Sequence, residues 1–252
     1  MSLSNLKGCY SGEHKYEDID NGNEHVVIYS GGCDSTLMLY EIAKEYGTKE
    51  KPVIALSYNH HAPCPVKAII EKKTRESFRK YCKKNKIYIN FTEVSVGIKA
   101  VSKRYFSISH HPGIVQPYLW LGALGVAMLG WRNFYFGYIK HDDFWMFKSE
   151  FVEAFKALQK VIMTENKVFF PLMDIHKENI IRKLKEYEIY DLTWHCETPT
   201  KEHEACGTCT PCKKHKEALR NLLEEAKETK KMHEELKEKV DELESIKEVE
   251  HA

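Results

Sequence analysis

The chain has 252 residues, 42% of them hydrophobic and 30% charged, with a net charge of +1. That supplies a core for one large domain, or for a domain with an appendage, and it excludes global disorder. The near-neutral balance gives no electrostatic argument for nucleic acid or for an anionic membrane surface.

The first twenty residues, MSLSNLKGCYSGEHKYEDID, contain no apolar stretch of the kind that opens a secretory signal. The most apolar later segment, Leu119 to Trp131, is too short for a membrane span of roughly 20 residues and reads as a buried helix. The expectation is a cytoplasmic protein with no membrane association.

Val26 to Tyr29 (VVIY) is short, β-branched and apolar throughout, as a buried parallel strand requires. SGGCDS follows, and then Leu37, Leu39, Tyr40, Ile42, Ala43 and Tyr46 recur at helical spacing up to Gly47, a candidate C-cap. Pro52 to Tyr58 predicts a second strand, residues 66 to 86 a helix, and Ile87 to Val94 a third strand. Residues 115 to 131 predict another helix and Asn133 to Tyr138 a strand. Ser149 to Leu158 is amphipathic, Val168 to Leu172 is a short strand ended by proline, and Lys177 to Tyr187 is helical. Strand and helix in alternation predict an α/β fold: an open, mostly parallel sheet with helices on both faces.

Residues 188 to 212 read as a loop carrying cysteines, and from 213 onward the chain holds neither proline nor glycine. Steps of three and four through Leu219, Leu222, Ala226, Thr229, His233, Leu236, Val240, Leu243 and Lys247 form a ragged heptad seam. The seam is that of a solvated helix lying on its own domain, or of one that pairs with another protein or a second subunit in a homodimer. The expected organisation is a polar segment (1–24), an α/β domain (25–190), a metal-binding segment (191–215) and a charged helix (216–252).

In an open α/β sheet, ligands sit beyond the carboxyl ends of the strands, and SGGCDS (30–35) stands at such an end. Gly31 and Gly32 permit close backbone approach and positive φ. The N–H groups and dipole of the following helix favour an anion, and Ser30 and Ser35 add hydroxyls. Asp34 suits backbone N–H bonds or Mg²⁺ rather than a bare phosphate. The lysine of a P-loop is absent, and a plain turn with a Ser or Asp cap is the simpler reading of the six residues alone.

Eight cysteines occur, and Cys196, Cys206, Cys209 and Cys212 are spaced C-x9-C-x2-C-x2-C. That spacing suits a tetrahedral thiolate site, with Gly207 allowing a tight knuckle. Four thiolates favour structural zinc, while an iron–sulfur cluster takes the same ligand set. His195 and His215 flank the cluster, and Cys9, Cys33, Cys64 and Cys82 show no ligand spacing. Cys33 lies in the loop but reads as a small filler.

S-G-G-x-D-S after a first buried strand resembles the pyrophosphate loop of the ATP pyrophosphatase (PP-loop) superfamily. The resemblance implies an adenine nucleotide alpha hydrolase-like fold. It implies that Ser30, Gly31, Gly32, Asp34 and Ser35, with Thr36 beside them, hold ATP and Mg²⁺. Joined to the cysteine cluster, the chain resembles the QueC family of queuosine biosynthesis over roughly residues 25 to 215. PLMDIHKENII (171–181) carries that family's lysine at Lys177, LTWHCE (192–197) its first zinc cysteine, and GYIKHDDF (137–144) an aspartate segment ahead of a helix.

The family reading is adenylation of the carboxylate of 7-carboxy-7-deazaguanine by ATP, with capture by ammonia and dehydration to a nitrile. Ser30, Asp34, Ser35 and Lys177 are then the expected catalytic residues, and Cys196, Cys206, Cys209 and Cys212 the Zn²⁺ ligands. Asp142, Asp143 and Phe144, with Trp145 and Phe147, are candidates for the deazaguanine.

The departures cluster around the expected substrate region. QPYLWLG lacks an arginine, Tyr58-Asn59-His60 stands for Y-G-Q, Met146-Phe147-Lys148 stands for D-C-R, and His215 replaces an arginine. They imply a paralogue with altered acid or acceptor, such as the relatives of anti-phage defence operons that join the activated acid to a protein amine. Two other readings are a non-catalytic nucleotide-binding zinc module and a tRNA-modifying relative. The neutral charge and the lack of a basic, aromatic-interleaved stripe oppose tRNA.

Overall fold

A computed structural model describes residues 24–60, 65–96 and 132–250. The expected helix at 115–131, the QPYLWLG stretch, His110, His111, Cys9 and Cys64 lie outside them.

The central strand β1 (Glu24–Ile28) leads through Tyr29 and the SGGCDS loop into α1 (Cys33–Tyr46). β2 (Val53–His60), α2 (Pro65–Lys84) and β3 (Ile89–Val96) follow, then β4 (Arg132–Tyr135), a 3₁₀ turn (Asp143–Phe147), α3 (Lys148–Ile162) and β5 (Lys167–Phe169). α4 (Lys177–Glu186), a second 3₁₀ turn (Tyr190–Leu192) and α5 (Thr210–Glu250) complete the order.

The described strands form one five-stranded sheet in the order β3-β2-β1-β4-β5. Every pairing is parallel: Val26 lies beside Ile54 on one side and Phe134 on the other, and Phe134 beside Val168. β1 alternates its side chains between two cores, which explains its uninterrupted apolar sequence. Val27 and Tyr29 join Leu37, Met38, Leu39 and Ile42 of α1, Phe78 of α2 and Ile180 and Leu184 of α4. Val26 and Ile28 face the other way, with Phe134, Phe136, Phe144, Phe151, Phe155 and Phe170. Helices therefore cover both faces, as expected.

Strand order grows outward from β1 through β2 to β3, then jumps back to β4 on the opposite side of β1. The carboxyl ends of β1 and β4 thus flank the switch point, where open α/β sheets bind ligands.

Several boundaries shift from expectation, among them the following. β3 begins at Ile89, because Val53 N–H already bonds to Tyr88 O and Ile87 belongs to the turn closing α2. β4 ends at Tyr135; Phe136 still donates to Phe169 O, but the chain then turns away to form the site. α5 begins at Thr210, inside the cysteine segment.

The tail departs from a helix lying on its own domain. Cys212, His215 and Ala218 are buried, and Asn221 Nδ2 donates to Glu178 Oε1 of α4 at 2.6 Å. Arg182 bonds Glu225, and from Leu223 through Lys237 every residue is exposed. Among the described residues, only the first turns of α5 pack on α4.

Candidate nucleotide site and metal knuckle

SGGCDS folds as a tight turn into α1. Gly31 takes φ +90°, and a β-carbon there would lie 3.2 Å from Arg75 Cγ and 3.6 Å from Glu71 O. Both the conformation and the space therefore demand glycine. Ser30 Oγ accepts the Gly32 N–H at 3.1 Å and lies 3.0 Å from Ser35 Oγ. Ser35 Oγ also accepts the Ser30 N–H at 3.3 Å. The first helical bond runs from Thr36 N–H to Gly32 O at 2.9 Å. The N–H groups of Cys33, Asp34 and Ser35 consequently have no carbonyl one turn back to bond, and they stand at the positive end of the helix dipole.

Across the switch point, Lys177 opens α4 with its ammonium on both Asp34 oxygens, at 2.6 and 2.8 Å. Burial pulls the Lys177 pKa down, but the charges of Asp34 and Asp142 outweigh it and hold the ammonium above its ordinary value. Gly137, two residues past the end of β4, lets the chain approach α1: a β-carbon there would meet Ser35 Cα and N at 3.3 Å.

The segment after Gly137 is fixed by its own polar groups. Ile139 N–H donates to Asp142 Oδ2 at 2.8 Å, Trp145 Nε1 donates to Ile139 O at 2.7 Å, and Lys140 N–H reaches Ile175 O at 3.1 Å. Burial pushes the Asp142 carboxyl up to about 6, with the Ile139 N–H opposing and the Asp34 charge adding. Lys214, from the base of α5, donates to His141 O at 3.2 Å and lies 3.9 Å from Asp142.

The four cysteines converge. The sulfurs of Cys196, Cys206, Cys209 and Cys212 all lie within 4.8 Å of one another, and Cys196 and Cys209 are 3.9 Å apart. A tetrahedral site with Zn–S bonds of about 2.3 Å has edges of about 3.8 Å, so the donor set fits zinc. Cys206 N–H donates to Cys196 Sγ at 3.2 Å, and Cys209 N–H to Cys206 Sγ at 3.3 Å. The Thr198 and Thr208 hydroxyls, with the Cys209 and Thr208 N–H groups, pull the Cys206 thiol down to about 5, a thiolate ready for a cation. His195 and His215 stack at 3.8 Å beside the knuckle, and His215 Nε2 lies 2.7 Å from Tyr190 OH. Burial, with His195 and Lys177 nearby, drops His215 to about 4, and neither ring belongs to the converging set of four donors.

The knuckle touches the loop directly. Trp194 pairs with Gly32 as an isolated parallel bridge, and its N–H donates to Gly31 O at 3.0 Å. Thr193 Oγ1 lies 3.2 Å from Cys33 Sγ, whose thiol burial pushes upward, so Cys33 is a protonated filler.

The structure thus gathers Ser30, Gly31, Gly32, Asp34, Ser35, Lys177 and Asp142 at one end of the sheet. Three other expected residues stand apart. Thr36 is fully buried, so its side chain meets the core and not a ligand. Phe144 is 6% exposed and stacks on Tyr138 at 3.8 Å within the Phe151 and Phe170 cluster; its ring packs the core rather than facing a base. Asp143 is exposed at the start of the 3₁₀ turn, leaving Asp142 as the carboxylate that faces Asp34 and Lys177.

Sequence reasoning missed Arg75, Trp194 and Lys214 as parts of the site, and none of the three carried a signal; Gly137 opens the G-x-x-x-x-D segment that it had singled out.

A family model described as queuosine biosynthesis protein QueC matches residues 126–223. The 7-cyano-7-deazaguanine synthase of Caldicellulosiruptor bescii is 27% identical over 217 residues, 78% of this chain and 92% of the relative. That of Pyrococcus horikoshii is 27% identical over 212 residues, 74% and 88% of the two chains. The solved structure of the U34-tRNA thiolase NcsA from Methanococcus maripaludis with its [4Fe-4S] cluster superposes with TM-score 0.47 at 15% identity, over 89% of this chain and 72% of that one. In its SGGCDS loop at the switch point and the cysteine knuckle bonded to it, the chain is similar to the QueC family and to these 7-cyano-7-deazaguanine synthases.

Proposed function

We propose that the protein is an AMP-forming, ATP-dependent ligase of carboxylic acids. In this reading it adenylates 7-carboxy-7-deazaguanine or a related acid and passes the acyl group to an amine. The observation that carries the reading is the phosphate loop at the β1 end, with Asp34 and Lys177 paired across the switch point.

The N–H groups of the α1 start and the hydroxyls of Ser30 and Ser35 receive the β,γ-phosphates. The polyphosphate competes with Asp34 for the Lys177 ammonium, and the freed Asp34 carboxylate is the candidate Mg²⁺ ligand. A carboxylate oxygen of the acid attacks the α-phosphorus, the bond to the bridging oxygen breaks, and pyrophosphate leaves onto the loop. Preorganised dipoles of this kind are worth several kcal/mol to a transition state gaining charge on the leaving group, about 3 kcal/mol for one donor. The amine then attacks the acyl carbon, AMP departs, and the amine proton is lost to water or to Asp142. Asp142 also stands where a carboxylate would accept hydrogen bonds from the N–H edge of a deazaguanine. Cys196, Cys206, Cys209 and Cys212 would hold zinc, which would cross-link the knuckle, and through Trp194 the knuckle supports Gly31 and Gly32.

Two acceptors divide the reading. A protein amine, as in the anti-phage conjugating relatives, is favoured by the departures around the substrate region and would end the reaction at an amide. Ammonia, followed by a second ATP-dependent dehydration to the nitrile, is favoured by the 25–27% identity to 7-cyano-7-deazaguanine synthases. The test is ATP turnover with 7-carboxy-7-deazaguanine and ammonia, following AMP, pyrophosphate and product mass. Nitrile with AMP selects the second acceptor. AMP with an adenylate or amide that goes no further selects the first. ADP in place of AMP, or no turnover with any deazaguanine acid, refutes the ligase reading.

A further inference from the structure

The phosphate loop is gripped from behind by a residue of α2. Arg75 is 4% exposed, and its Nη1 donates to Ser30 O at 3.4 Å. Its Nε donates to Glu93 Oε1 of β3 at 3.4 Å. The aliphatic part of the same side chain is the nearest atom to the missing β-carbon of Gly31, at 3.2 Å. One planar fork thus meets two acceptors from two elements, which a lysine's single ammonium cannot do in that arrangement.

The consequence follows from peptide geometry. In a trans peptide the carbonyl and the next N–H point in opposite directions. With Ser30 C=O drawn back toward α2, the Gly31 N–H must point away from α2. The next carbonyl, Gly31 O, is held by Trp194 N–H at 3.0 Å. Two successive peptide planes are therefore fixed from outside the loop, one by α2 and one by the knuckle. Burying an arginine is costly where an apolar residue would pack as well, so an arginine at this place behind the loop points to more than packing.

We propose that Arg75 is a positioning residue of the phosphate loop, a buried guanidinium that sets the Ser30 peptide and adds positive potential behind the polyphosphate. The inference rests on the nucleotide reading above. It predicts discrimination by ligand: pyrophosphate and ATP depend on Arg75, whereas AMP, which lacks the β and γ groups, does not.

The test is calorimetric titration of the zinc-loaded full chain with magnesium pyrophosphate, magnesium ATP and AMP, on wild type, Arg75→Gln and Glu93→Gln. For Arg75→Gln, pyrophosphate and ATP weaken about tenfold, the scale of one lost charged hydrogen bond, while AMP stays within about twofold. Glu93→Gln keeps the bond to Ser30 and loses less than about threefold for any ligand. Unchanged pyrophosphate affinity in Arg75→Gln, or an equal loss for AMP, overturns the proposal and leaves Arg75 a structural ion pair. Should Arg75→Gln not fold, Arg75→Lys keeps the charge without the fork; a pyrophosphate loss of about threefold with AMP unchanged supports the proposal, and wild-type affinity overturns it. Wild-type protein that binds neither ATP nor pyrophosphate refutes the nucleotide reading itself, an outcome separate from all of these.

Discussion

Gly31 and Gly32 are adjacent and chemically identical, yet alanine should affect them very differently. At Gly31 the backbone has φ +90°, and a β-carbon would sit 3.2 Å from Arg75 Cγ, itself confined by burial. The left-handed conformation costs an L-residue about 1–2 kcal/mol, and easing the contact costs up to about 1 kcal/mol more. At Gly32 the backbone is extended, with φ −74° and ψ 163°, and the close atom is a hydroxyl that can rotate, Ser30 Oγ at 3.2 Å. That substitution also removes unfolded-state entropy, so its net effect is within about 0.5 kcal/mol. Gly31→Ala should therefore lose about 2 kcal/mol, a fall in Tm of about 4–8 °C at this chain length, while Gly32→Ala stays near wild type. Urea denaturation and calorimetry of the two variants side by side make the measurement. Equal losses at both positions would refute the argument from conformation, because the two sites differ in little else.

Three further outcomes follow from the same geometry. Asp142 has its pKa raised from 3.8 to about 6 on folding, so between those values the folded state binds more protons than the unfolded chain, and stability falls as pH rises. Asp142→Asn keeps an oxygen for the Ile139 N–H and should be flatter across that window and more stable at pH 7, by about 1–3 kcal/mol; a variant with the wild-type pH profile would assign the titration elsewhere. Cys209→Ser should remove bound zinc, read by elemental analysis, with a Tm below that of the zinc-loaded wild type; full retention of the metal would show that Cys209 is not a ligand. Truncation after Glu225 keeps the Arg182 bond and should move Tm by no more than about 1 °C, since residues 226–237 are exposed; a fall above about 5 °C would mean the rod is packed on something.

Much of this protein was legible in one dimension because its signals are local. A run such as VVIY can only be buried on both faces, and strands alternating with amphipathic helices force a parallel sheet. Four thiols at knuckle spacing, with a glycine between the first close pair, need only a short turn to converge. Gly31 was readable as a turn residue because tolerance of positive φ is a property of a single residue; its neighbour Gly32, at φ −74°, does not use it.

What the tertiary structure decided are the meetings across distance. Lys177 reaches Asp34 across 143 positions, and Trp194 bonds a loop more than a hundred and fifty residues earlier. Arg75, one of several basic residues on a helix with no distinguishing neighbour, becomes the buried support of Ser30 only because α2 crosses back over the β1 end. The same logic sorted the aromatic candidates: Phe144 and the exposed Phe147 lie three residues apart in one turn, and nothing in the string says which ring the core will take. Local chemistry is written in residue types and spacing, whereas partnership depends on where the sheet order reverses, and that is a property of the packed whole.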